Sequence, residues 1–532
     1  MRKIIYTLLT VGLFIGCEDN LVQQDPTGPT GDDFFQSERD VQLAVVAAYA
    51  GLTGLAGDGG LWARDMWGVE AMSDNGYGIA DAPYNSMDAF AHDPNTQLVQ
   101  NFYGNLYQGI NRCNLVLQKA PLIDEIAQAD LDNYLGQAYF IRGYEYFLLT
   151  LLFGDAPIVL EPPVEPAGYS IEASSATALY DQAISDLEMA EQLLNETQDD
   201  AGKVERMAAT AMLAKVYLFG ADELSNTSWY GLAEQKANEV VTSGKYALVD
   251  DPALTPEENL ISLWSLSNQN SSEDIFAVQH YSSGGWANGN VGSTFPMAIN
   301  PRLDRGLNIW GFGWLHTYES VEAQWDDADP RKRFSIFFDG DDVITIAGDN
   351  LGQYSSSTAR GQSRRDSGGP KKFWWAESTD RVSGINDLDA KVLRYADLLL
   401  IHAEADLMAD GNLSAAGANS FNEVRARVDL PPIAAGSITR DVILEERRWE
   451  LFLECHRWFD LMRTETAEAA FQAIEDLDNT LPQYDVYALS KNDFEKQGFI
   501  PQKHYKLPYP QAALNQNPAL VQKPEWAGES EN

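Results

Sequence analysis

Positive charge is scarce in this chain: 37 lysines and arginines stand against 79 aspartates and glutamates, a net charge of −42 over 532 residues. Nucleic acid, itself a polyanion, would be repelled before any base could be read, which excludes that partner class. Cysteine is scarcer still, with three in all, Cys17, Cys113 and Cys455, and no CxxC pair. Isolated thiols cannot build a metal cluster. The six histidines form no HExxH motif, and no glycine-rich phosphate loop occurs. We therefore expect no metal and no cofactor.

What is present is an ordinary globular balance, 45% hydrophobic and 22% charged residues. That composition argues against wholesale disorder, and the length suits two to four average domains or one large one. The N-terminus has its own character. Arg2 and Lys3 precede an apolar stretch from Ile4 to Ile15. This stretch is long enough for a signal peptide and too short to span a bilayer as a mature helix. It ends at Phe14-Ile15-Gly16-Cys17, which resembles a bacterial lipobox with phenylalanine in place of the usual leucine. The resemblance implies a signal peptide over residues 1–16 and lipidation of Cys17. The acidic pair Glu18-Asp19 resembles the surface-export signal of Bacteroidetes lipoproteins. Residues 17–30 read as a polar tether.

Beyond the tether the pattern is mostly helical. Asp132–Phe153 has apolar positions at helical spacing and stops at Gly154-Asp155-Ala156-Pro157. Ala176–Leu194, Glu205–Gly220 and Tyr230–Ser243 read as further helices, with small residues where neighbours would cross closely. They resemble tetratricopeptide helix pairs, which form a curved scaffold. Residues 260–390 differ. Clusters of glycine, serine, asparagine and aspartate surround short β-branched runs such as Val343–Ile346, so long loops with a few short strands are expected. Helix returns over Lys391–Asp410, Ala415–Val428 and Ser437–Arg463. The fold class is mainly α: a helical scaffold over about 31–255 and 391–532, divided by a loop-rich insert over about 256–390. We expect residues 31–532 to form a single domain.

The densest segment is Leu444–Arg463, LEERRWELFLECHRWFDLMR. Glu446, Glu450 and Glu454 fall at i, i+4 and i+8 among arginines, a spacing that pairs charges along and between helices. Trp449, Phe452, Cys455 and Phe459 form an apolar stripe beside them. Two carboxylates on one helix cannot flank a glycosidic bond from opposite sides, so this segment is read as structural, not as an acid/base pair. Cys113 and Cys455, both in helical patterns beside aromatic residues, read as small buried thiols, although spacing alone leaves a bridge between them open.

Three motifs, in order, carry a family resemblance. Leu393-Arg394-Tyr395-Ala396-Asp397-Leu398-Leu399-Leu400-Ile401-His402-Ala403-Glu404-Ala405 continues into Asn422-x-x-Arg425-x-Arg427. The second is the Glu446–Arg463 signature. The third is Leu507-Pro508-Tyr509-Pro510 with Asn517-Pro518-Ala519-Leu520-x-Gln522-Lys523-Pro524-Glu525-Trp526. Together they resemble the SusD/RagB family of surface glycan-binding lipoproteins. Cys455 stands where that family usually has glycine, and His402 replaces the usual tyrosine. The resemblance implies a non-catalytic protein, lipid-anchored in the outer membrane and facing the cell exterior. It implies an oligosaccharide or polysaccharide ligand, and a SusC-like TonB-dependent transporter as partner. A glycoside hydrolase on a helical scaffold and a peptide-binding interaction scaffold are the alternatives.

A pyranose ring packs its CH face on an indole or phenol ring, so the sugar site is sought among loop aromatics. Leu61–Tyr84 supplies Trp62, Trp67, Tyr84, Asp74 and Asn75, with Tyr77 between; Tyr281–Tyr318 supplies Tyr281, Trp286, Trp310 and Trp314. Trp374 and Trp375 form a further pair. Arg360, Arg364, Arg365, Lys371 and Lys372 make a basic island that suits an anionic glycan, a solvated loop or a transporter contact. Two motifs are read as decoys. Asp366–Pro370 copies a protease nucleophile segment without the all-β frame that chemistry needs, and His402 with Asp406 lacks a third metal ligand.

Overall fold

The computed structural model describes residues 34–53, 60–78, 82–161, 170–281, 292–300, 313–344, 350–354, 369–374, 387–478 and 495–528. The leader, the tether with Cys17, and Trp286, Trp310, Trp375, Arg360, Arg364 and Arg365 lie outside the described residues.

Long helices follow one another from the N-terminal side, each packed on the next: α1 (Glu38–Thr53), α2 (Gln97–Lys119), α3 (Gln128–Phe153), α4 (Ala176–Leu193), α5 (Arg206–Glu223) and α6 (Ser228–Ser243). Local chemistry sets their ends. The Ser175 hydroxyl accepts the Ala178 N–H at 3.3 Å to open α4, and α6 stops at Gly244, whose φ of +63° suits a residue without Cβ. From Phe140 onward α3 is buried on every side, because α1, α2 and α4 all pack against it. Its last carbonyls are met by the C-terminal segment. Lys506 Nζ donates to the carbonyls of Thr150 at 2.9 Å and Leu151 at 3.1 Å, and Lys523 Nζ donates to that of Phe153.

The stack then resumes across a long excursion. Helix α7 (Tyr395–Asp410) packs directly on α6, followed by α8 (Ala415–Ala426), α9 (Arg440–Glu450) and α10 (Arg457–Arg463). The intervening chain is looped out of a tetratricopeptide-like scaffold. Most of the short strands lie in it. The described strands are β1 (Gly76–Gly78), β2 (Asp274–Val278), β3 (Leu315–Thr317), β4 (Ile336–Phe337), β5 (Asp342–Ile344), β6 (Asn350–Gln353), β7 (Gly369–Pro370) and β8 (Ala390–Arg394). They pair antiparallel as β1–β3, β2–β8, β4–β7 and β5–β6.

The structure corrects several boundaries. Ala390–Arg394 is a strand, not the start of α7, because its edge pairs with β2 and leaves helical geometry only from Tyr395. Ser437–Arg463 is not one helix. Leu453 and Cys455 both take left-handed backbone conformations, φ +65° and +64°, and divide it into α9 and α10. Glycine adopts that conformation without strain, which gives a physical reason for the glycine usual at Cys455 in the family it resembles. Cys113 and Cys455 are both free and buried.

The Leu444–Arg463 segment is a hub of buried ion pairs. Arg394 reaches Glu273, Glu450 and Glu454, each at 2.7 Å. Arg447 binds Asp397 at 2.7 Å and Asp460 at 3.0 Å, and Arg463 binds Glu404 at 2.6 Å and Asp222 at 2.7 Å. Lys215 of α5 also reaches Asp397, at 2.8 Å. The acidic and basic partners thus come from the N-terminal helices, the insert and the C-terminal helices together. Burial alone would push Glu450 up, yet the guanidinium groups of Arg427, Arg394 and Arg331 hold its carboxyl well below the ordinary range. Such pairs give little net stability against an apolar replacement, but breaking one strands a charge in the interior.

Candidate functional site

The two aromatic stretches meet through β1 and β3. Gly76 pairs with Thr317, Tyr77 with His316 and Gly78 with Leu315. The approach is close: a Cβ on Gly76 would lie 2.4 Å from the His316 carbonyl oxygen, so only glycine fits. Just before β1 the chain forms a π-helical turn over Leu61–Asp65 and a short helix over Trp67–Ala71. Just before β3 comes Trp314, fixed by its N–H donating to the Ala298 carbonyl at 2.9 Å.

This arrangement assembles three rings. Trp67 and Tyr84 stack with centroids 3.6 Å apart and planes 10° from parallel. Trp314 leans over both, 6.0 Å from Trp67 and 6.2 Å from Tyr84. Trp67 and Tyr84 are buried, and Trp314 is the half-buried outer member. The Arg64 guanidinium lies 5.3 Å from the Trp314 centroid and 5.4 Å from that of Tyr84, and its Nε donates to the Tyr84 hydroxyl at 2.8 Å. Beneath them Asp65 accepts from Asn101 Nδ2 at 3.3 Å and from the Tyr84 hydroxyl at 3.5 Å. Burial pushes the Asp65 carboxyl up to about 7 against the opposing pull of Arg64. The result is an aromatic cluster whose outer ring, Trp314, has the Arg64 guanidinium beside it, while Asp65 is buried underneath as support; the outer ring can stack on a sugar ring.

The other anticipated residues fall elsewhere. Trp62 is buried and donates from Nε1 to the Tyr144 hydroxyl at 3.0 Å, walling a small apolar cavity with Trp264, Phe295 and Phe373. Asp74 and Asn75 do not line an open loop. Both are buried, because the signature segment sends its arginines to them: Arg457 Nε lies 2.7 Å from Asp74 Oδ1, and Arg448 Nε donates to Asn75 Oδ1 at 3.0 Å. Their positions correct the expectation of exposure and leave no surface for a ligand. Trp67 and Tyr84 belong to the stack as buried support, so their own exposure is corrected too. Tyr281, three residues beyond β2, is 68% exposed, and the described contacts do not join it to the stack.

Elsewhere, Trp374 is buried, and its Nε1 donates to the Ile344 carbonyl at 2.9 Å. Lys372 is buried against Glu454 and the carbonyls of Glu450 and Phe452, so it is scaffold. His402 bonds Ser420 at 2.8 Å, and no metal-ligating cluster occurs among the described residues. Sequence reasoning passed over Arg64, Asp65 and Asn101; the one signal available was the position of the Arg64-Asp65 pair between Trp62 and Trp67.

With this geometry in hand, comparisons with known proteins are informative. Residues 268–526 match a family model described as "SusD family", and residues 36–218 match one described as "Starch-binding associating with outer membrane". SusD-like protein P2 of Formosa agariphila is 25% identical over 501 residues, covering 88% of this chain and 92% of that protein. Among solved structures, a SusD homologue from Bacteroides thetaiotaomicron superposes with a TM-score of 0.76 at 19% identity, covering 93% of this chain and 98% of that one. Surface glycan-binding protein A from the same organism, solved in complex with laminarihexaose, gives a TM-score of 0.71 at 19% identity over 91% of this chain and 99% of that one. At these identities the structural likenesses establish the fold.

Proposed function

This chain belongs to the SusD/RagB family, and from that premise we propose that it binds an oligosaccharide or polysaccharide at the outer-membrane surface without cleaving it. The observation that carries this reading is the half-buried Trp314, held at the edge of the Trp67–Tyr84 stack beside Arg64. A rigid, pre-stacked ring meets a flat sugar face with little entropy to lose. Trp286 and Trp310, which lie outside the described residues, we propose on their sequence setting alone as further glycan-binding residues. Relatives named for laminarin and laminarihexaose point to a β-glucan as the first ligand to try.

Within the signature segment, Glu450 is buried and held as an anion by three arginines, so it is not the general acid that glycoside hydrolysis would need. We further propose that Cys17 carries lipid and that the captured glycan passes to a SusC-like TonB-dependent transporter. The description of the matching family as associating with the outer membrane supports that location.

Affinity electrophoresis through gels containing laminarin and other polysaccharides tests the reading. Retardation in at least one gel, with no new reducing ends, is the expected result. Unchanged migration through every gel would leave the peptide-scaffold alternative standing, and release of sugar would replace binding with hydrolysis.

A further inference from the structure

A second concave site lies away from the aromatic shelf. The loop joining α4 to α5 faces β2 and the turn before it, and between them is a cleft of about 250 Å³. Its wall includes Tyr246, Phe276, Gln198 and Asn270. None of these residues belongs to the Trp67–Tyr84–Trp314 cluster.

The chemistry of the wall is specific. Charges are present but matched in pairs: Lys203 with Asp200 at 2.5 Å, Lys245 with Glu205 at 2.7 Å, and Asp274 with Lys391 at 2.5 Å. In a protein of net charge −42 this local balance removes the field that would select an ion of either sign. Amides add donors and acceptors together. Asn270 and Gln279 exchange hydrogen bonds at 2.9 and 3.1 Å across the rim, which fixes both side chains in place. Tyr246 contributes a largely buried ring, and burial keeps its phenol protonated well above the usual range. The volume falls below the roughly 300–1,000 Å³ of sites for drug-sized ligands. A ring-sized, uncharged molecule rich in hydroxyls matches a small cleft with balanced charge, fixed amides and one aromatic surface.

We propose that this cleft is a second saccharide site, taking one neutral sugar residue. The ligand class rests on the glycan-binding reading above; the site itself does not share a residue with it. Two contacts on one chain, at the shelf and at the cleft, raise retention of a polysaccharide through effective concentration without tightening either contact.

Saturation-transfer NMR with the methyl glycosides of glucose, galactose, mannose and xylose tests the site on the intact protein. The Trp314→Ala protein, which lacks the outer ring of the shelf, is expected to keep transfer to at least one glycoside. Adding Ala201→Trp, which plugs the cleft mouth from an exposed position, is expected to remove it while leaving thermal unfolding unchanged. Transfer that survives the added tryptophan, or that is absent for all four glycosides in the Trp314→Ala protein, overturns the proposal. Should Ala201→Trp disturb folding, Asn270→Gly on the exposed rim, which deletes the amide and suits the local φ of +54°, replaces it, with the same reading of loss and survival. The shelf is judged separately, by polysaccharide retardation, so the two failures are distinguishable.

Discussion

Tyr77 stands opposite His316 in the short antiparallel ladder of β1 and β3, their rings 5.8 Å apart. This pairing joins two segments far apart in sequence, and it sets Trp314 beside Trp67 and Tyr84. The candidate sugar shelf therefore depends on a contact of three residues per strand, one of them a glycine with no room for a side chain.

Replacing Trp314 with alanine removes the outer ring and leaves the buried pair in place. Polysaccharide retardation should fall about tenfold or more, in line with the roughly 1–3 kcal/mol carried by a stacked aromatic ring. The midpoint of thermal unfolding should move little. Retention equal to wild type would remove Trp314 from the site.

Gly76→Ala tests the ladder itself. The added methyl would meet the His316 carbonyl at 2.4 Å, and backbone cannot yield as a side chain can. We expect destabilisation of about 1–3 kcal/mol by overpacking together with weakened glycan retention. A variant that retains both stability and binding would show that the register is not what holds the shelf.

Glu450→Gln tests the ion hub. It leaves Arg394, Arg427 and Arg331 short of an anion in the interior, which should cost about 3–5 kcal/mol in chemical denaturation. A loss within about 0.5 kcal/mol, the range of ordinary surface substitutions, would mean that the neighbouring carboxylates absorb the charge.

Cys455 gives an inverted ranking. Alanine and glycine both delete the sulfur, and at an ordinary position alanine is the more stable by about 0.5–1 kcal/mol. At φ +64° the order should reverse, with Cys455→Gly above Cys455→Ala by about 1 kcal/mol. Equal or ordinary ranking in urea melts would contradict the left-handed assignment.

Asp65 predicts a pH dependence. Its folded carboxyl is raised to about 7 from an ordinary value of 3.8, so the folded protein keeps a proton that the unfolded chain has released. Wild-type stability from this group therefore declines as pH rises from about 4 to about 7 and stays at its lower level above that. Asp65→Asn carries no such titration, so its stability relative to wild type should climb between about pH 4 and about pH 7 and level off above that. A difference that stays flat across that range would place Asp65 in a more solvated setting.

Much of this was legible beforehand because it is local. Helical spacing placed α3 through α6, and glycine marked the ends at Gly154 and Gly244, since backbone geometry and the burial of one helix face are written within a few turns of chain. The break in the Ser437–Arg463 pattern was not legible. Leu453 and Cys455 carry no local sign of left-handed backbone, and a continuous apolar and charged spacing mimics one helix. Asp74 and Asn75 show the same limit at the site. Their glycine-flanked setting reads as exposed loop, and only the distant Arg448 and Arg457 account for their burial.

By itself, then, the sequence determined the helical periodicity, the split of the scaffold around its insert, and the motif residues that mark the family. Only the tertiary structure decided which acids meet which arginines, which aromatic rings support and which one faces outward, and that β1 and β3 bring them together. The physical reason is range: propensity and periodicity act over a few residues, whereas burial, charge pairing and ring stacking are settled by neighbours that the chain reaches only after it has folded.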